Sequence, residues 1–187
     1  MPLSKESRDA FLQALDLFDS RVSAASSETW SSPSPCEGWT AQDVVAHLVT
    51  NLRALRAALD GGDFFAVFGQ PVEGDVLGAW RHERSSAAEW LDEASVVEAV
   101  TVGGNSVPLF LVVDGLMRDL VIHTWDVARA VGGDERLPDD LVATATKAMA
   151  MVTDEARGPG LYGYEVPAPP DADAQERLLA LAGRRVR

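Results

Sequence analysis

Between Leu109 and Val127, apolar residues recur at helical steps. Leu109, Val112, Leu116, Leu120 and Val127 fall on one stripe when each residue advances by about 100°. A strand cannot carry that period, because its side chains change face at every residue. The stripe therefore commits this segment to a long helix that must bury one face against other elements. Two ionisable residues, Asp119 and His123, lie along the stripe's edge, four positions and so one turn apart. Such groups facing a core are costly unless paired, hydrogen-bonded or metal-bound.

The other segments repeat the pattern. Helix one spans roughly Ser4 to Ala25, with Phe11, Leu15, Leu17, Phe18 and Val22 as its stripe. Residues 31–39 are punctuation rich in proline, glycine and serine. Helix two opens at Thr40, a good N-cap, and carries Val44, Leu48, Leu52, Leu55 and Leu59 up to Gly61-Gly62. Helix three covers about Asp75 to Glu93, with Leu77, Trp80, Ala87 and Leu91 inward. From Val96 to Phe110 the pattern becomes a short hairpin or extended insertion around Gly103-Gly104. Helix four runs from about Pro108 to Val131, and helix five from Pro138 to about Arg157. A loop with four prolines and a last helix, Ala174 to Leu181, complete the chain. Long amphipathic helices with little strand imply an all-α helical bundle, and 187 residues suit one domain spanning 1–187.

Composition excludes several function classes. Sixteen basic against twenty-nine acidic residues leave a net charge of −13. That balance argues against nucleic-acid binding, which needs a basic footprint, and against docking on anionic membranes. No stretch approaches the roughly 18 apolar residues of a membrane span, and no apolar signal core follows Met1. The lone cysteine, Cys36, rules out an intrachain disulfide framework. The expected compartment is the cytoplasm.

His47 adds a third donor to Asp119 and His123. It lies at the margin of helix two's stripe, with Asn51 one turn later. If helices two and four pack face to face, His47 meets the other pair. Two imidazoles and a carboxylate leave a coordination position open, the arrangement of a catalytic rather than a structural zinc site. Nickel, iron and manganese are chemically compatible. The plainer alternative is an ordinary boundary histidine beside an ordinary Asp–His interaction. Asp126 falls near the same face, either orienting an imidazole or capping local structure.

Other residues carry less. Cys36 has no histidine near it in sequence and is expected to pack in the turn before helix two. His82 sits in a charged, exposed stretch. Trp39 and Trp125 are candidates for pocket walls or core, and Arg129 for meeting an anionic substrate or for an exposed helix end. Tyr162 and Tyr164 are candidates for covering a pocket.

Two longer motifs narrow the choice. Pro35-Cys36-Glu37-Gly38-Trp39-Thr40, followed by 43–48 with His47, resembles the opening motif of the DinB-like, mycothiol-dependent maleylpyruvate isomerase family. The run 119–132, from Asp119 through His123 to Gly132, resembles its second motif, and 177–184 is similar to the ending of one actinobacterial branch. The resemblance implies a DinB-like up-down four-helix bundle, here with the insertion and extra C-terminal helices. It implies a divalent metal, zinc first, held by His47, Asp119 and His123. Members often have glutamate where this chain has the shorter Asp119. The implied chemistry is that of a low-molecular-weight thiol, mycothiol, adding to an electrophilic small molecule in a transfer or isomerisation. Full isomerases of this kind carry a further C-terminal domain, so the shared thiol chemistry rather than that isomerisation is the expectation. The alternatives are a metal-dependent hydrolase with an activated water and a non-enzymatic ligand- or protein-binding module. A homodimer is compatible with an apolar bundle face.

Overall fold

The computed structural model describes residues 2–153, 157 and 163–186. Six α-helices account for most of them: α1 Lys5–Ala24, α2 Ala41–Leu59, α3 Val76–Glu93, α4 Leu109–Val131, α5 Asp139–Met149 and α6 Ala174–Leu181. Among the described residues one antiparallel hairpin, β1 Ala99–Val102 and β2 Asn105–Pro108, precedes α4. The chain is thus an all-α bundle with a hairpin insertion, as the apolar periods require.

Local chemistry sets the ends of these helices. Ser4 caps α1 by accepting from the Ser7 amide at 3.1 Å. Thr40 and Asp43 form a reciprocal capping box on α2, and Asp173 and Glu176 form another on α6. Gly132 closes α4 in the left-handed region at φ 71°, which glycine adopts without a Cβ clash. Gly103 and Gly104, both at positive φ, make the tight hairpin turn. The Asp63 carboxylate accepts from both of their amides and so ties the hairpin tip to the loop after α2.

Four helices form the bundle: α1 and α2 each pack against both α3 and α4. On the outside, α5 lies against α4, and α6 lies against α5. Helix α4 therefore has neighbours on several sides, and from Leu116 to Ala128 every residue except Asp119 is buried. The stripe read from sequence underestimates this: Val113 and Val121, outside the stripe, are fully buried, whereas Val112 is only partly so. A helix covered on several faces does not display one apolar face to solvent.

Two further expectations change. Helix α5 ends at Met149, well short of Arg157, and 150–153 are turn and irregular. On α3, Leu77 is partly buried, while Val76 and Trp90 join Trp80, Ala87 and Leu91 in the core. Among the described residues, no helix is long and apolar enough to cross a membrane.

Candidate metal centre

Helices α2 and α4 do pack together, and their contact brings His47, Asp119 and His123 to one place. One ligand atom from each lies within 4.8 Å of the other two. His47 Nε2 is 2.8 Å from Asp119 Oδ2, and His123 Nε2 is 3.5 Å from Asp119 Oδ1. The side chains keep only 17%, 14% and 7% of their exposure. Asn51, one turn beyond His47, donates from Nδ2 to Asp119 Oδ2 at 2.7 Å.

The remaining face of His123 is engaged as well. Its Nδ1 is 2.9 Å from Oδ2 of Asp126, which is completely buried. Asp126 therefore orients the imidazole rather than capping the helix. Asp126 also accepts from Cys36 Sγ at 3.3 Å and from Arg184 Nη2 at 2.8 Å. The Cys36 sulfur lies 3.9 Å from His123 Nδ1. Cys36 does pack in the turn before α2, but the fold carries it to a histidine 87 positions away.

That turn has its own logic. The Ser34 amide donates to the Trp39 carbonyl at 2.8 Å, Ser34 Oγ accepts from the Cys36 amide, and Gly38 takes φ 78°. The tight loop sets Cys36 and Trp39 over the α2–α4 contact. Trp39 stacks on His123 with ring centroids 6.2 Å apart and tilts against His47 at 5.2 Å. Phe68 meets His47 edge-on at 5.8 Å. Trp39 is a wall, whereas Trp125 is core, 1% exposed, with Arg129 over its ring.

The electrostatics follow from burial set against neighbouring charge. Burial raises the Asp119 carboxyl, but His123, His47 and Arg118 outweigh it and hold the group below the usual carboxylate range. Burial likewise raises Asp126, and the hydrogen bond to His123 and the charge of Arg184 bring it below the ordinary value. Cys36 behaves in the opposite way. Burial, then the Asp126 charge, pushes its thiol up to about 12 although Arg184 opposes them. Cys36 is thus a neutral S–H donor here, not a ready nucleophile.

Of the remaining sequence candidates, His82 is exposed, as expected. Arg129 does not meet the site; it pairs with Glu135 at 2.7 Å and donates to the Val186 carbonyl. Tyr164 is 69% exposed. Tyr162 lies outside the described residues. Sequence reading missed Arg184 as a site residue. Its only signal was its place in the ending motif, since it sits 58 positions from Asp126.

Fold and site together define a helical bundle with a two-histidine, one-carboxylate donor set between α2 and α4. The chain belongs to the family described as the Mycothiol maleylpyruvate isomerase N-terminal domain, which matches residues 11–128. It is also 27% identical over 182 residues to two proteins of Mycobacterium tuberculosis, Uncharacterized protein MT0763 of strain CDC 1551 / Oshkosh and Uncharacterized protein Rv0738 of strain ATCC 25618 / H37Rv. Each alignment covers 95% of this chain and 97% of the relative.

Proposed function

We propose that this chain is a metal- and thiol-dependent protein that passes a low-molecular-weight thiol, mycothiol, to an electrophilic small molecule. The observation that carries the reading is the convergence of His47, Asp119 and His123 within 4.8 Å on two facing helices. Their chemistry fits a divalent ion, with two imidazole nitrogens and a carboxylate oxygen. The two imidazoles approach opposite oxygens of the same carboxylate, His47 Nε2 at 2.8 Å from Oδ2 and His123 Nε2 at 3.5 Å from Oδ1. The same cluster holds a buried carbonyl oxygen, Asn51 Oδ1, with no hydrogen-bond partner among the described residues. The family's printed description supplies the thiol.

The protein's own groups prepare the place. Asn51 holds the Asp119 carboxylate by its Nδ2–H bond. Asp126 holds Nδ1 of His123, which leaves Nε2 facing Asp119. Trp39 and Phe68 cover the imidazoles and keep water off one side. A divalent metal bound there, zinc by donor type, lowers the pKa of a coordinated thiol and so favours the nucleophilic thiolate. In this reading 1–187 act as one domain, because Arg184 from the chain's far end is built into the site.

The test begins with elemental analysis of protein purified without chelators or a metal-binding tag. About one metal per wild-type chain, and none in the His47→Ala, Asp119→Ala, His123→Ala triple variant, is expected for a three-ligand site. Calorimetry should then show mycothiol binding only to the loaded wild type. Equal thiol binding by the triple variant refutes the reading, and ester hydrolysis without any thiol would replace it by a hydrolase.

A further inference from the structure

His123 stands between two donor sets. Its Nε2 faces His47 and Asp119, and its Nδ1 faces Asp126 and Cys36. Cys36, His123 and Asp126 also bring one ligand atom each within 4.8 Å of one another. This second set already contains a cation. Arg184 Nη2 lies 2.8 Å from Asp126 Oδ2 and 3.2 Å from Cys36 Sγ, and its Nε lies 3.2 Å from Asp126 Oδ1. The third nitrogen, Nη1, donates to the Ala182 carbonyl at 2.7 Å. Every nitrogen of the fork is used, and the side chain is only 14% exposed.

We propose that the guanidinium of Arg184 occupies the cation position of a second donor set, Cys36, Asp126 and His123, and thereby confines metal to the first. The chemistry of the two cations decides the outcome. A guanidinium donates hydrogen bonds in a fixed fork and accepts none, so it neutralises Asp126 while leaving Oδ2 able to accept from His123 Nδ1–H. The imidazole then presents the Nε2 lone pair to the first set. With the guanidinium removed, a thiol, a carboxylate and an imidazole nitrogen remain, an S,O,N set that suits soft divalent ions. The Cys36 proton and the His123 Nδ1 proton both pass to solvent when this set takes such an ion, and the imidazolate then bridges the two sets. Arg184 is a positioning residue in this account, and it lies beyond the 11–128 stretch that the family matches. The inference rests on the reading of His47, Asp119 and His123 as the metal set.

Cadmium tests it, because a cadmium–thiolate bond absorbs in the ultraviolet. The wild type should show no thiolate band on cadmium loading. Arg184→Ala should gain the band and about one additional cadmium per chain, and the Arg184→Ala, Cys36→Ser double variant should lose both. A band in the wild type, or none in folded Arg184→Ala, overturns the proposal. Should Arg184→Ala fail to fold, ¹⁵N NMR of wild-type His123 with its ring neutral decides. The proton belongs on Nδ1, and a proton on Nε2 overturns the proposal. The variant His47→Ala, Asp119→Ala removes the first set alone. Undiminished metal binding there refutes the metal-centre reading, while the thiolate band still judges Arg184.

Discussion

Replacing Asp126 with alanine tests the centre without touching any of the three proposed ligands. Asp126 is 0% exposed and meets His123 at 2.9 Å, Arg184 at 2.8 Å and Cys36 at 3.3 Å. Its loss strands the Arg184 guanidinium, which is 14% exposed. Breaking a buried pair in this way costs about 3–5 kcal/mol. The Arg184 side chain keeps some exposure, so the lower figure of about 3 kcal/mol is the better expectation. A chain of this size loses about 2–4 °C of melting temperature per kcal/mol, which gives a fall of about 6–12 °C. The second consequence concerns His123, which loses the partner of its Nδ1. Removing such a partner weakens metal binding by about 10–100-fold. Circular dichroism melts of metal-free protein and zinc titrations against a chromophoric chelator read the two effects separately. Asp126→Asn keeps the shape but places an amide opposite the guanidinium, and it should share both losses. An unchanged melting temperature together with unchanged zinc affinity in Asp126→Ala would refute the argument that the buried carboxylate organises the site.

Three shorter expectations follow from the same contacts. Thr40→Ala removes the side-chain half of the α2 capping box and should cost about 0.5–2 kcal/mol in urea denaturation; a cost near zero would mean that the box does not hold the start of α2. Asp119 and Asp126 both sit below their ordinary carboxylate values, so the unfolded chain takes up protons first. Their contribution to stability is present above about pH 4 and is lost as the pH falls further, which urea midpoints across that range should show as a decline that is weaker in Asp126→Asn. Cys36, with its thiol pushed up to about 12, should resist iodoacetamide in the native protein at neutral pH and react readily once unfolded; rapid native labelling would contradict the neutral S–H assignment.

The helices and most of their ends were legible in the chain because the signals are local. Apolar steps of three and four, Thr40 as a cap, and Gly132 as a stop act within a few residues of one another. The His47, Asp119 and His123 set was legible for a related reason. Two of its members share one helix turn, and the third needs only that α2 and α4 meet. Elsewhere the reading was less exact: helix α5 stops at Met149 rather than near Arg157, and of the two places open to Arg129 the structure has the exposed helix end, paired with Glu135.

What the sequence determined by itself is therefore the helical class, most of the helix ends and the donors offered on each face, since these depend on spacing and on near neighbours. Only the tertiary structure decided which groups share the buried side of His123. Cys36 comes from a turn and Arg184 from the end of the chain, 148 positions apart, and no periodic pattern connects them. They meet because Asp126 is buried on a helix enclosed on several sides, and a buried carboxylate must find charge and hydrogen bonds wherever the fold can bring them.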